Sequence, residues 1–183
     1  MKTINANTLK EIFKEANCIL SQKGIIGEIV LFGGGALIFA FDERVFTKDI
    51  DAYLRPKEEV ENALVEAGKK FGLKGEWINT DVLRYVYSRP PQKLAGVFEG
   101  KNLRVFRPSK EYILALKILV SRAERDFEDA LLSAKALKAV TEEDLKNVFF
   151  SIFPKSYLDE RRKLFIEEIA ATLAKEKETY ENK

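Results

Sequence analysis

The 183-residue chain contains no histidine and a single cysteine. The missing histidine excludes a Ser-His-Asp triad, a Cys-His dyad and any His-ligated zinc site. One cysteine, Cys18, excludes an internal disulfide and fits a reducing cytoplasm. Lying at an apolar position of a predicted helix, it reads as a buried core thiol. An excess of one charge is also lacking: 31 Lys and Arg stand against 29 Asp and Glu, a net charge of +2. The molecule as a whole is therefore no polycation, and its electrostatics must be read locally. Apolar runs such as residues 112–116 are far too short to span a bilayer. Met1, Lys2, Thr3, Ile4 and Asn5 carry none of the apolar run of a signal peptide, so the expectation is a cytoplasmic protein with no membrane partner. Internal repeats and low-complexity segments are absent. Acid–base or metal chemistry must then fall to Asp, Glu, Lys or Tyr.

What is present suits a globular protein with one good core. Hydrophobic residues make up 46% and charged residues 33%, and thirteen Phe and six Tyr supply core material. Residues 8–21 read as an amphipathic helix with Leu9, Ile12, Phe13, Ala16, Ile19 and Leu20 on one stripe and Gly24 as the stop. Residues 27–32 read as a buried strand, Gly33, Gly34 and Gly35 as a tight turn, 36–41 as a short helix and 49–54 as a second strand. Pro56 opens a helix running to about residue 71. Residues 77–87 are mixed. Residues 94–99 and 103–106 form two strands joined by the turn signal Gly100, Lys101, Asn102. Beyond Pro108 and Ser109 the pattern is helical throughout: 110–121, 124–137, 142–153 and 156–177, with Thr141 as a cap and Pro154 as a stop. Residues 1–107 thus read as an α/β part and 108–183 as a helical region.

Five features could carry chemistry. The glycine turn at Gly33 to Gly35, between an apolar strand and a helix start, lets backbone N–H groups approach an anion; a purely structural turn would look the same. Asp49 and Asp51 stand two apart on a strand, so they share a face with Ile50 turned into the core. Like charges held that close are tolerated most easily around a divalent cation; an exposed strand with alternating acids is the other reading. Lys117 stands alone in an otherwise apolar helix, where it either snorkels to water or reaches a phosphate. Asp126 and Asp129 share a helix face, and with Arg122 and Arg125 at i, i+4 spacing they read as surface ion pairs. Residues 84–110 hold Arg84, Arg89, Lys93, Lys101, Arg104, Arg107 and Lys110 against Glu99 alone, which suits either polyanion binding or a solvated hairpin.

Together these elements resemble the nucleotidyltransferase (polymerase β-like) superfamily, and most closely its AbiEii/MenT-type branch of bacterial and archaeal toxin–antitoxin and abortive-infection systems. Gly33 and Gly34 match the glycine pair that opens a helix. Arg44, Thr47, Asp49 and Asp51 match Arg…Thr-x-Asp-h-Asp. Lys117 matches the lysine in the first helix of the C-terminal region, and Arg125, Asp126 and Asp129 match Lys/Arg-Asp-x-x-Asp. The likeness spans roughly residues 30 to 135. Two departures stand out. Many members carry a serine where this chain has Gly34, and many carry a third metal-binding acid on a later strand, where residues 103–107 have none.

The resemblance implies an α+β fold: a nucleotidyltransferase-like mixed β-sheet flanked by helices (1–107), with an all-helical C-terminal region (108–183) completing a cleft. It implies Mg²⁺, or Mn²⁺, held by Asp49 and Asp51, with an NTP as substrate bound through Gly33, Gly34, Arg44, Thr47, Lys117 and Asp129. Lys117 would neutralise phosphate charge, and Asp126 would complete the site or act on the acceptor. An NMP group would pass to a tRNA or a protein side chain, in a toxin-like protein with a cognate antitoxin. The alternative is a catalytically inactive nucleotide-binding or protein-interaction module of the same fold. A structural partner role for the last helix is countered by its balanced charge, seven basic and seven acidic residues over 155–183.

Overall fold

The computed structural model describes residues 3–41, 46–74, 77–81, 86, 89–121 and 123–181, with the backbone alone at 123–125, 180 and 181. The fold is α+β, and the chain divides into two compact units, Met1–Ser109 and Lys110–Lys183.

In the first unit, helix α1 (Ala6–Gln22) is capped by Asn5, whose side chain accepts from the Thr8 amide. Its buried stripe is Leu9, Ile12, Phe13, Ala16, Ile19 and Leu20, as the spacing predicts. Cys18 corrects the sequence reading. It is exposed, because it lies about 200° around the helix from Ala16 and so falls off the apolar stripe. Strand β1 (Gly27–Phe32) leads into helix α2 (Gly33–Ala40), so the three glycines form the first turn of a helix rather than a separate turn before it. Strand β2 (Ile50–Arg55), helix α3 (Lys57–Lys70) and the two-residue β3 (Ile78–Asn79) follow, with Pro56 as the N-cap of α3. Strands β4 (Leu94–Glu99) and β5 (Leu103–Pro108) complete a five-stranded mixed sheet of order β3-β2-β1-β5-β4. Strand β1 runs antiparallel to β2 and parallel to β5.

The two sheet faces differ. A Cβ at Gly27 would run into Val60 of α3, Leu20 of α1 and Leu103 of β5, so Gly27 and, by the two-residue period, Ile29 and Leu31 face the helices. Glu28, Val30 and Phe32 therefore point the other way. Directly opposite them on β2 stand Arg55, Tyr53 and Asp51. The outer end of this second face is ionic: Glu28 meets Arg104 at 3.2 Å and Arg55 at 3.8 Å.

The second unit contains helices α4 (Lys110–Val120), α5 (Ala123–Leu137), α6 (Glu142–Ile152) and α7 (Glu160–Glu181). Every residue of α4 from Tyr112 to Val120 is buried, in keeping with its nearly uniform apolar sequence. The carbonyls at its C-terminal end are met from α7: Arg161 donates to Val120 and Arg162 to Leu119. Thr141 and Asp144 form a reciprocal capping box on α6. None of the described helices is long and apolar enough to cross a membrane.

Candidate active site

Each glycine at the start of α2 is matched to one residue of the stretch Thr47 to Asp51. Gly33 adopts φ +51°, a left-handed conformation in which a side chain is strained, and a Cβ there would lie 2.1 Å from Asp51 Oδ2. A Cβ on Gly34 would lie 2.2 Å from Thr47 Oγ1, and one on Gly35 2.9 Å from Ile50 Cγ2. The glycines are thus required by close approach. They bring the opening turn of α2, with its N–H groups and partial positive charge, against the acidic strand. Phe32, directly opposite Asp51 in the ladder, sets this register.

The acidic stretch is held firmly. Thr47 exchanges both backbone hydrogen bonds with Ile4, at 2.7 and 2.8 Å, and its buried hydroxyl donates to the Asp49 carbonyl at 2.8 Å. The Ile50 amide donates to the Trp77 carbonyl, and the Ile50 side chain is fully buried. Asp49 and Asp51 flank it half-buried. Asp51 Oδ1 accepts from Asn79 Nδ2 at 3.0 Å. Asn79 is a partner that sequence reasoning missed. It sits in the mixed segment 77–87, and only the short parallel pairing of β3 with β2 brings it beside Asp51.

The departure at Gly34 has a steric cause. The space that a serine side chain would take is filled by the Thr47 hydroxyl. Gly34→Ser should cost about 1–3 kcal/mol through overpacking, seen as a lower melting temperature. Combining it with Thr47→Ala should recover part of the loss; an undiminished melting temperature in the single variant would contradict this packing.

Whether these residues suit a divalent cation turns on how Mg²⁺ is held. It keeps several waters and takes one or two carboxylates together with substrate phosphates. The Asp51 carboxylate beside the N-terminus of α2, with Asp49 half-buried two residues before it, fits that donor set. Among the described residues, no group of three or more Asp, Glu, Cys or His gathers as a metal cage.

Lys117, Asp126 and Asp129 come together within the second unit. The Lys117 ammonium donates to Asp126 Oδ1 and Asp129 Oδ2, each at 2.8 Å. The two aspartates are 2% exposed and Lys117 9%, so the surface reading of the acids does not hold and the lysine does not snorkel. The three-residue spacing on α5 aims both carboxylates at one point, where Lys117 of α4 supplies the cation. Arg44, Arg84 and Arg122, and the side chain of Arg125, lie outside the described residues.

The basic segment is partly consumed by internal contacts. Arg104 pairs with Glu28, and the Arg107 guanidinium donates to the carbonyls of Phe39 and Pro108. Arg104 also lies over the Phe106 ring, 6.0 Å from its centroid.

No curated protein and no solved structure matches the chain. A family model does, over residues 7–170, covering both the glycine–aspartate cluster and the buried lysine triad. With so much of its length matched, the chain belongs to the family described as nucleotidyltransferase of unknown function (DUF6036).

Proposed function

We propose that this nucleotidyltransferase is Mg²⁺-dependent and moves an NMP group from an NTP to an acceptor hydroxyl on RNA, tRNA foremost, or on a protein. The observation that carries the reading is the fit of Gly33 and Gly34 against Asp51 and Thr47, which sets a helix N-terminus beside the Asp51 carboxylate. Asp49 and Asp51 would hold the ion. When bound, it supplies charge to gather the triphosphate oxygens and to offset the charge building on the leaving group. The first N–H groups of α2 receive phosphate oxygens. Thr47 positions the Asp49 backbone, and Asn79 orients Asp51. The acceptor oxygen attacks the α-phosphorus, the bond to the β-phosphate's bridging oxygen breaks, pyrophosphate departs and the acceptor's proton passes to water.

Motif order, rather than geometry, assigns Lys117, Asp126 and Asp129 a part in handling the nucleotide and acceptor. The likeness to the AbiEii/MenT-type branch supports a cytoplasmic, toxin-like role with a cognate antitoxin as protein partner. The test incubates the protein with each NTP, Mg²⁺ and either a total tRNA pool or candidate proteins, and reads intact mass. Addition of one NMP unit to one acceptor class, with pyrophosphate released, is the expected result. Nucleotide binding with no adduct on any acceptor would favour the inactive binding module instead.

A further inference from the structure

A cleft of about 310 Å³ opens on the second face of the sheet in the first unit. Its walls include Val30 and Phe32 of β1, Tyr53 of β2, Leu94 of β4, and Pro90 and Pro91. Val30 stands directly opposite Tyr53 in the ladder, and Phe32 directly opposite Asp51. Asp51 and Tyr53 are two apart on one strand, which puts them on the same face about 7 Å from each other. The cleft therefore begins one strand step from the carboxylate that packs on Gly33.

The lining selects its occupant. Among the described residues it offers two aromatic side chains, aliphatic side chains and two prolines, and none of these is charged. A phosphate placed inside would be stripped of water without a partner. A flat, uncharged ring would lose little and gain stacking area. The volume sits at the lower end of small-molecule clefts, enough for a base and too little for a whole nucleotide triphosphate. A triphosphate held at Asp51 and Gly33 would keep its charge outside the cleft, and one sugar then bridges to the apolar slot.

We infer that this cleft is the nucleobase subsite of the NTP, gripping the ring by stacking between Tyr53 and the Pro90–Pro91 wall over a buried floor that includes Val30 and Phe32. The inference rests on the nucleotidyltransferase reading of Asp49 and Asp51 and adds how the substrate's base is held. Among the described lining side chains only Tyr53 carries a hydroxyl, so the subsite reads ring shape far more than the hydrogen-bonding edge. Discrimination among the four bases is correspondingly weak.

The test measures equilibrium binding of ATP, GTP, CTP, UTP and inorganic tripolyphosphate, each with Mg²⁺, to the full chain. Tripolyphosphate has the charge and lacks the base. Each NTP should bind roughly ten- to a hundredfold tighter than tripolyphosphate, and the four should differ among themselves by less than that margin. Two variants then probe the slot: Tyr53→Ala removes a ring, and Leu94→Trp fills the cleft from an exposed position on β4, where the fold tolerates a larger side chain. Both should bring the NTPs close to the tripolyphosphate level while leaving tripolyphosphate binding unchanged, with circular dichroism matching the parent. NTPs that keep their full advantage in both variants, as they would if the cleft receives an acceptor's base or side chain, overturn the inference. So does a parent protein that binds tripolyphosphate and NTPs equally. If the parent binds neither, the phosphate site itself has been misassigned, a failure distinct from that of the base subsite.

Discussion

Asp51→Asn should cut nucleotide transfer by roughly a thousandfold while shifting the melting temperature by no more than a few degrees. The substitution keeps the shape of the side chain and an oxygen able to accept from Asn79 Nδ2, so the hydrogen bond at 3.0 Å and the packing over Gly33 both survive. What disappears is the negative charge. A carboxylate that holds a divalent ion acts through that charge, and an amide is a far weaker ligand for a hard cation. Asp51→Ala removes the side chain altogether and should abolish transfer, with a somewhat larger stability effect because the space over Gly33 is vacated. Labelled-nucleotide transfer and thermal denaturation on the same preparations separate the two effects. Full transfer by Asp51→Ala would show that the acidic pair has been given the wrong role. Asn79→Ala makes a useful companion, since it frees Asp51 to rotate without altering its charge. It should reduce transfer by about 10- to 100-fold, the usual loss when the partner that orients a metal-binding group is removed.

Much of this arrangement was legible in the sequence because it is local. The stripe of α1 and the run of β1 each follow from a short period that packing then obeys, and Ile50 is buried as expected, although β2 begins at Ile50 and leaves Asp49 just before the strand. The adjacency of glycines and acids could be suspected from order along the chain, but its cause lies in three dimensions. The antiparallel register that sets Phe32 against Asp51, together with the pairing of Thr47 with Ile4, explains why positions 33, 34 and 35 must all lack a side chain. Features built from distant strands left no such trace. The base-sized cleft draws on β1, β2, β4 and the Pro90–Pro91 wall, and no window of sequence contains them together. Asn79 is in the same position, recruited by a strand of two residues. Cys18 shows a smaller lesson: an apolar residue next to the stripe is still on the wrong side of the helix.

Asp126 and Asp129 were misread for a different reason, and their correction leads to the largest expected loss of stability. Acids at i, i+3 with arginines at i, i+4 look alike on a solvated face and beside a buried cation; the deciding residue, Lys117, lies on another helix. In the folded protein one ammonium serves two carboxylates at 2.8 Å each, and all three groups are withdrawn from water. Lys117→Met keeps a side chain of similar length while leaving two buried like charges with their shared cation gone. Breaking a buried pair in this way costs about 3–5 kcal/mol, which for a chain of this size lowers the melting temperature by roughly 10 °C. The triple variant Lys117→Met, Asp126→Asn, Asp129→Asn removes these three charges together and should recover part of that loss, since the penalty comes from buried charge that has lost its lysine rather than from lost volume. Thermal and urea denaturation of the two variants check the sign. A Lys117→Met protein as stable as the parent would mean the ammonium is not what holds the two acids in place. The triple variant also separates folding from chemistry. If its stability returns and nucleotide transfer does not, the triad is needed by the reaction itself; if both return, its work is to lock α4 against α5.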